Sequence, residues 1–176
     1  RRSFLLVKKF IITTITIFLL TGCNSVEVTE RAFVKAIYAD KSEGNIYLDI
    51  LYTTPEGDEK IFSSKGRDFR SALDLTKNTI GKDIFTDHCE VIFVGAGITD
   101  IKKDLSYLSQ SRAFPMKMII CKCAYKNVLS AENIDSFVDI VSEEKGENYG
   151  TLFSVFSGEN EEFPIATLKD NYIILF

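Results

Sequence analysis

The chain of 176 residues predicts an α/β fold of the mixed α+β kind, in which helices pack on a mixed β-sheet. Two observations predict it. Apolar and β-branched runs on either side of a polar, Gly-containing turn near residue 44 indicate an N-terminal hairpin. Further along, apolar runs alternate with segments of helical spacing, which indicates two strand-helix-strand units joined through residues 91–94. Such units imply right-handed crossovers and parallel pairing, and the hairpin adds antiparallel strands.

The hairpin begins with the apolar run at residues 33–39 and passes through the polar turn at residues 40–45. Its second strand shows apolar residues at alternate positions, namely Ile46, Leu48, Ile50 and Tyr52. Residues 55–58, Pro-Glu-Gly-Asp, form a second turn signal, and residues 60–64 then predict a short third strand. The hairpin is therefore expected to extend into three antiparallel strands.

The first predicted helix has clear signals at both ends. Asp68 stands at the N-cap position, and Gly81 offers a C-terminal stop. Apolar and small residues repeat between them at helical spacing: Phe69, Ala72, Leu73, Thr76 and Ile80. This pattern predicts an amphipathic helix with one buried face.

The second half of the chain predicts two buried strands and two more helices. Residues 91–94 and 116–123 are the strands, and the first of them is expected in the centre of the sheet. Thr99 or Asp100 caps a helix with one apolar face, and Ser130 is predicted to open another. The apolar positions are Ile101, Leu105 and Leu108 in the former, and Ile134, Phe137, Val138 and Val141 in the latter.

The C-terminal part is less regular. Residues 142–162 are acidic and contain Gly, with an apolar island at 152–156, so they predict a surface excursion or a linker. Residues 164–176 have two apolar patches around Asp170 and Asn171, a pattern typical of a hairpin. Because the chain stops on five apolar and aromatic residues that would form an exposed edge strand, it looks interrupted.

The N-terminal residues predict a lipoprotein signal. Four Lys and Arg precede or flank an uncharged apolar run at residues 10–20, which is typical of a secretory signal. The run ends in Leu-Thr-Gly-Cys at 20–23, the pattern of a bacterial lipobox. Cys23 is therefore the predicted lipidation site, with a diacylglyceryl group on its thiol and cleavage before it. An ordinary signal peptide with a nearby Cys, or an uncleaved anchor helix, is the alternative.

This prediction divides the chain into a signal peptide at residues 1–22 and one domain at 23–176. Two acyl chains meet the requirement for stable anchoring, because each buried methylene contributes roughly 0.8 kcal/mol. The mature chain carries 17 Lys and Arg against 25 Asp and Glu, a formal charge of −8. That acidic balance argues against nucleic acid as a partner. We expect a domain held on the outer face of the cell membrane by lipid.

The remaining cysteines do not indicate a disulfide framework, because Cys89, Cys121 and Cys123 are odd in number. Cys121 and Cys123 lie two apart in a predicted strand, so their side chains point the same way. Free, buried thiols are expected. A metal site with His88 is disfavoured, because Cys-x-Cys alone is a weak signal and His88 and Cys89 would face opposite sides of a strand.

No catalytic constellation is recognisable in the residues. Gly95-Ala96-Gly97 lies between a strand and a helix, as in dinucleotide-binding loops, but Asp100 takes the place of the third glycine and would repel a pyrophosphate. The segment is therefore predicted to be a tight turn. The acid pairs Glu143-Glu144 and Glu161-Glu162 are predicted to lie in polar loops as solvated surface charge.

Several segments together carry a family pattern: the lipobox at 20–23, an acidic residue leading through an apolar stretch to Asp-Lys at 30–41, Phe-Ser-Ser-Lys-Gly at 62–66, and Phe-x-x-His, apolar strand, Gly at 85–95. In order and spacing they resemble the spore germination lipoproteins of the Ger(x)C type, the C subunits of nutrient germinant receptors in endospore-forming Firmicutes. The chain departs from the family at Asn24, where an aromatic is frequent, at Ala39, where Gly is usual before Asp, and at Ala113, which replaces an acidic residue.

The resemblance implies the N-terminal domain of a non-enzymatic receptor subunit without a cofactor, on the outer face of the spore inner membrane. It implies integral-membrane A and B subunits as partners in the nutrient response, with this domain as a docking module. The alternative is a lipid-anchored extracytoplasmic protein that binds a small ligand at the carboxyl ends of its parallel strands, near Gly95. An envelope-bound hydrolase is a third, weaker hypothesis because no nucleophile with a base is visible.

Overall fold

The computed structural model describes residues 31–158 and 162–176; the predicted signal peptide and lipobox lie outside these ranges. Within them, eight strands form one mixed sheet and five α-helices pack on it, so the predicted fold class is confirmed. The strands are β1 (Arg31–Ser42), β2 (Asn45–Thr53), β3 (Glu59–Gly66), β4 (Asp83–Phe85), β5 (Val91–Val94), β6 (Ile119–Cys123), β7 (Ile165–Lys169) and β8 (Tyr172–Leu175). The helices are α1 (Phe69–Ile80), α2 (Ile101–Asp104), α3 (Ser106–Gln110), α4 (Ile134–Lys145) and α5 (Leu152–Ser157).

The sheet has the order β3-β2-β1-β5-β6-β7-β8, and the short strand β4 pairs in addition with the start of β1. The predicted N-terminal hairpin is confirmed: β1 and β2 are antiparallel and joined by Glu43 and Gly44, both with positive φ. A two-residue turn of this hand suits the twist of the strands, and glycine adopts it at low cost. The third antiparallel strand and the C-terminal hairpin β7–β8 also form as predicted.

Parallel pairing was predicted correctly only for part of the sheet. β5 pairs in parallel with β6, as the second strand-helix-strand unit requires. The first unit does not bring its two strands together, because β3 occupies the sheet edge and β5 pairs instead with β1. β2 already occupies one side of β1, so the connection through α1 passes over two strands to reach the free side.

Helix α1 has the predicted bounds. The Asp68 carboxylate accepts a hydrogen bond from the Ser71 backbone N–H at 2.7 Å, and the Ser71 hydroxyl accepts one from the Asp68 N–H at 3.1 Å. This reciprocal cap satisfies two helix-end donors. Gly81 ends the helix in the left-handed region with φ 65°. The local signals therefore suffice to define this helix.

The other helices differ from prediction in their bounds. The segment after Asp100 forms two short helices, α2 and α3, interrupted at Leu105, although the predicted apolar face of Ile101, Leu105 and Leu108 is buried as expected. The prediction that Ser130 opens a helix is wrong. Residues Lys126–Ser130 form a 3₁₀ helix in which Val128 and Leu129 are buried in the core. Helix α4 begins only at Ile134. The second buried strand likewise starts at Ile119 rather than at residue 116.

The acidic segment is not a plain surface excursion or linker. Its apolar island forms α5, where Leu152 and Val155 are fully buried. The Thr151 hydroxyl caps this helix by accepting a hydrogen bond from the Ser154 N–H at 3.2 Å. Glu143 and Glu144 are exposed as predicted, but they belong to the last turn of α4 rather than to a loop.

Two apolar layers cover the two faces of the sheet, and β5 contributes to both. Ile92 and Val94 pack with α1, α2, α3 and α5 on one face, which we call the first face. Val91 and Phe93 pack with the 3₁₀ helix and α4 on the other, the second face. All four side chains are buried, so β5 is the central strand that its unbroken apolar sequence predicted.

Phe93 is the first test of this arrangement. It is fully buried, and its ring centroid lies 5.4 Å from that of Phe137 on α4. Phe93→Ala is expected to lower the free energy of unfolding by roughly 3–5 kcal/mol, because it removes buried apolar surface and leaves a cavity. Urea melts of the chain from Asn24 to Phe176 measure this loss. The exposed Phe153→Ala is the matched control, with an expected loss of about 1 kcal/mol or less; equal losses would contradict the placement of β5.

Candidate functional site at the carboxyl edge of the sheet

The carboxyl ends of β1, β5 and β6 lie at the same edge of the sheet because these strands are parallel neighbours. Ligands of open α/β sheets bind at this edge. Three loops meet there: the hairpin turn after Ser42, residues 95–100 after β5, and residues 124–125 after β6. We call this region the carboxyl edge.

The Asp40 carboxylate holds the carboxyl edge together. Its Oδ1 atom accepts hydrogen bonds from the Lys41 N–H at 2.8 Å and from the Gly97 N–H at 2.9 Å. The Tyr38 hydroxyl donates a longer bond of 3.4 Å to Oδ2. The Gly95 N–H, in turn, donates to the Ala39 carbonyl at 2.8 Å. One side chain near the end of β1 therefore positions the loop that follows β5.

Gly95 and Gly97 are required at these positions by close packing. A Cβ at Gly95 would overlap the Asp40 carboxylate, and one at Gly97 would overlap the Lys41 carbonyl oxygen. The two glycines thus let the loop approach β1, rather than leaving room for a phosphate. The predicted tight turn is confirmed.

Two further contacts fix helix α2. The Lys41 ammonium lies 2.6 Å from a carboxylate oxygen of Asp104, whose side chain is largely buried. The Asp100 carboxylate accepts a hydrogen bond from the Lys103 N–H at 3.0 Å and caps the start of the helix, as predicted. The ion pair therefore ties the end of α2 to β1, and the cap stabilises its first turn.

An open cavity of about 970 Å³ lies beside this loop, on the first face of the sheet. Its walls come from the Gly95 loop, the start of α2, the end of β6 and the hairpin β7–β8. Its lining residues are Val94, Gly95, Ala96, Ile98, Thr99, Asp100, Ile101, Lys102, Lys122, Cys123, Ala124, Tyr125, Phe163, Ile165, Ala166, Thr167 and Phe176. The volume lies at the upper end of the range for small-molecule sites.

The Tyr38 phenol and the three described cysteines stay protonated at neutral pH because burial raises their pKa values. Burial, followed by the charge of Asp40, raises the pKa of Tyr38. Burial also raises the pKa values of Cys89, Cys121 and Cys123, so all three stay protonated thiols. These cysteines are free and buried, and Cys121 and Cys123 share the second face, as predicted.

The structure does not bring a metal-ligand set together. His88 is exposed and packs edge-on against Phe33, whereas Cys89 is buried in the first face. They lie in a loop and not in the strand assumed from the sequence. In residues 31–158 and 162–176, no group of three or more His, Cys, Asp or Glu side chains is arranged to hold a metal ion.

The predicted lipidation site, Cys23, lies outside the described residues, as does Glu161 of the second acid pair. The sequence did not predict that Lys122 and Phe163 line the same cavity. It also did not predict that Asp40 holds the loop after β5 in place. In the sequence, Asp40 is marked only by its place in an Asp-Lys turn. Gly95 and Gly97 are marked by their position directly after a buried strand. Nothing in the linear sequence shows that Asp40 and Gly97 touch across 57 positions.

In the described residues the chain is an α+β domain with a mixed sheet and a cavity at the carboxyl edge. The family model for the spore germination protein N-terminal domain matches residues 24–161. Since this match covers most of the chain, the protein belongs to that family and has a role related to germinant reception. The family is not a known class of enzyme. Neither the curated proteins nor the solved structures contain a match.

In the described part of the chain, no helix has both the length and the apolar character needed to cross a membrane.

The packing of Gly97 provides the next prediction. Gly97→Ala is expected to lower the free energy of unfolding by roughly 1–3 kcal/mol, because the added methyl group must displace the Lys41 backbone. Denaturant melts give the value. Ala96→Ser, at the exposed neighbouring position, is the control and should stay within about 0.5 kcal/mol of the unsubstituted chain. If both variants matched the unsubstituted chain, the contact between the loop and β1 would be dispensable.

Proposed function

We propose that the chain is a membrane-anchored lipoprotein subunit of a spore nutrient germinant receptor complex, non-enzymatic, that acts with integral-membrane A and B subunits. The observation that carries this proposal is the family match over residues 24–161, directly preceded by the lipobox at 20–23. The neutral, buried thiols and the lack of a nucleophile with a base among the described residues support a binding role.

The chain length between anchor and domain limits how far the domain can lie from the membrane. Residues 24–30 separate Cys23 from the start of β1, and seven residues span at most about 25 Å. In the proposed anchored state, the amino end of β1 therefore lies within about 25 Å of the lipid surface.

The outer strand β8 is the surface that best fits a protein partner. It stands at the end of the strand order, so one side of its backbone has no neighbouring strand among the described residues. Its Ile174 is 40 % exposed, and Phe176, just after it, is 72 % exposed. An edge strand with exposed apolar residues pairs readily with another chain. We assign this edge to contact with an integral-membrane subunit of the complex.

Lipidation is tested by Cys23→Ala. Without the thiol, the diacylglyceryl thioether cannot form, so the variant is expected to remain an unprocessed precursor. Mass spectrometry of the N-terminal peptide from the membrane fraction measures the lipid mass. An unsubstituted chain that starts at Cys23 with no added lipid mass would refute the anchor. Cys89→Ala is the control and should be lipidated normally, since its thiol is buried in the domain.

Receptor function is tested by deleting the gene in its spore-forming host. Nutrient germination should be delayed or lost, whereas spore formation and germination that bypasses the receptors should stay normal. A copy with Ile174→Glu should restore little and should fail to co-purify with the membrane subunits. A copy with Ile61→Glu, on the opposite sheet edge and 46 % exposed, should restore the response. Normal nutrient germination in the deletion strain, with no related paralogue expressed, would count decisively against the receptor function.

A further inference from the structure

The cavity at the carboxyl edge lies where the helices that cover the first face of the sheet end. On the first face, α2, α3 and the junction between them contribute Ile101, Leu105 and Leu108 to the core beside β5 and β6. The same layer contains no residue of β7 or β8, which pack only into the second face. Ile165 of β7 is consequently 51 % exposed. The step between the covered and uncovered strands forms the cavity.

The wall of this cavity is largely apolar and aromatic. Tyr125 and Ile165 are about half exposed, and Phe176 is mostly exposed. Phe163 is partly buried against the first-face core. The Phe176 N–H donates to the Ile165 carbonyl at 2.8 Å, which holds the end of the hairpin in register beside the cavity. Such a wall suits the body of an apolar or aromatic molecule.

The charged groups in the wall are mostly cationic, although the chain as a whole is acidic. Lys102 and Lys122 line the cavity, and neither takes part in a salt bridge within the described ranges. Among the described lining residues, Asp100 has the one carboxylate side chain, and it already caps α2. The Lys122 ammonium lies 5.0 Å from the ring centroid of Phe163, so a cation stands directly beside an aromatic surface.

We propose that this cavity binds a small anion with an aromatic or similarly apolar body, such as an aromatic carboxylate. Lys122, together with Lys102 of α2, pairs with the anionic group. Phe163, Ile165 and Phe176 contact the apolar part. The site shares Phe176 with the proposed protein contact along β8, and it goes beyond the proposed receptor role because it predicts direct capture of a small molecule by this domain.

The probe is 4-benzoylbenzoate, a photoreactive aromatic carboxylate, applied to the full chain in membranes. Illumination should produce saturable labelling that protease digestion and mass spectrometry place on peptides containing Tyr125, Phe163 or Phe176. The uncharged 4-benzoylbenzamide should label these peptides at least fivefold less at equal concentration, because it lacks the group that pairs with lysine. Limited proteolysis of each variant checks that its fold is intact.

Three variants separate a binding role of Lys122 from a structural one. Lys122→Met should reduce labelling at least fivefold, and Lys122→Arg, which keeps the charge, should retain at least half of it. Lys103→Met is the control: it removes a cation next to Lys102 that does not line this cavity, so labelling should not change. These effects do not depend on a receptor complex, so they can hold even if the deletion strain germinates normally.

Several results would overturn the proposal. Labelling that does not saturate, or that spreads evenly over the surface, would leave the cavity without a ligand. Equal labelling by the carboxylate and the amide, or unchanged labelling of Lys122→Met, would show that the lysine does not recognise an anion. Loss of labelling in both Lys122→Met and Lys122→Arg would assign Lys122 a purely structural role. In each of these cases the apolar wall would be better explained as part of a protein contact.

Discussion

The hydrogen bond from the Gly97 N–H to the Asp40 carboxylate is the contact on which the carboxyl edge depends. It joins the end of the N-terminal hairpin to the loop after the central strand. The nearby ion pair between Lys41 and Asp104 extends the same connection to α2. Since that loop and that helix form one wall of the cavity, the shape of the site depends on how β1 ends. A charged acceptor is well suited to this role, because hydrogen bonds to ionised groups are stronger than neutral ones.

The two apolar layers cover the sheet unequally, and this difference is the second feature that bears on function. The central strands β1, β5 and β6 have buried residues in both core layers, whereas the hairpin β7–β8 contributes to the second face alone. The sheet therefore has a stable interior and one incompletely covered end. A surface of that kind, with exposed Ile165, Tyr172, Ile174 and Phe176, is typical of an interaction site rather than of an inert surface.

The chemistry of the domain is consistent with binding. Burial raises the pKa values of its three described cysteines, which removes the thiolate that a nucleophile would need. The titratable side chains that remain near the carboxyl edge are engaged in structure: Asp40 holds a loop, Asp100 caps a helix, and Asp104 pairs with Lys41. Lys102 and Lys122 line the cavity, and neither makes a salt bridge among the described residues.

Local sequence patterns were sufficient wherever the structure depends on neighbouring residues. Asp68 and Gly81 set the ends of α1, Glu43 and Gly44 set the first hairpin turn, and the apolar run of β5 predicted its central place. Helix bounds were less predictable after Asp100 and Ser130, because tertiary packing of Leu105, Val128 and Leu129 decides where those segments bend. These local patterns were enough to predict the fold class and the resemblance to the family.

The sequence by itself thus determined the fold class, the N-terminal hairpin, the bounds of α1, the central strand β5 and the family, whereas the lipid anchor stays a prediction. Only the tertiary structure decided that β5 pairs with β1 rather than with β3, that α5 enters the core, and that Asp40 meets Gly97. It also decided that Lys122 and Phe163 share one cavity. The physical reason is that strand pairing and cavities arise from contacts between residues far apart in the chain. Periodicity and capping signals report only on interactions within a few residues of one another.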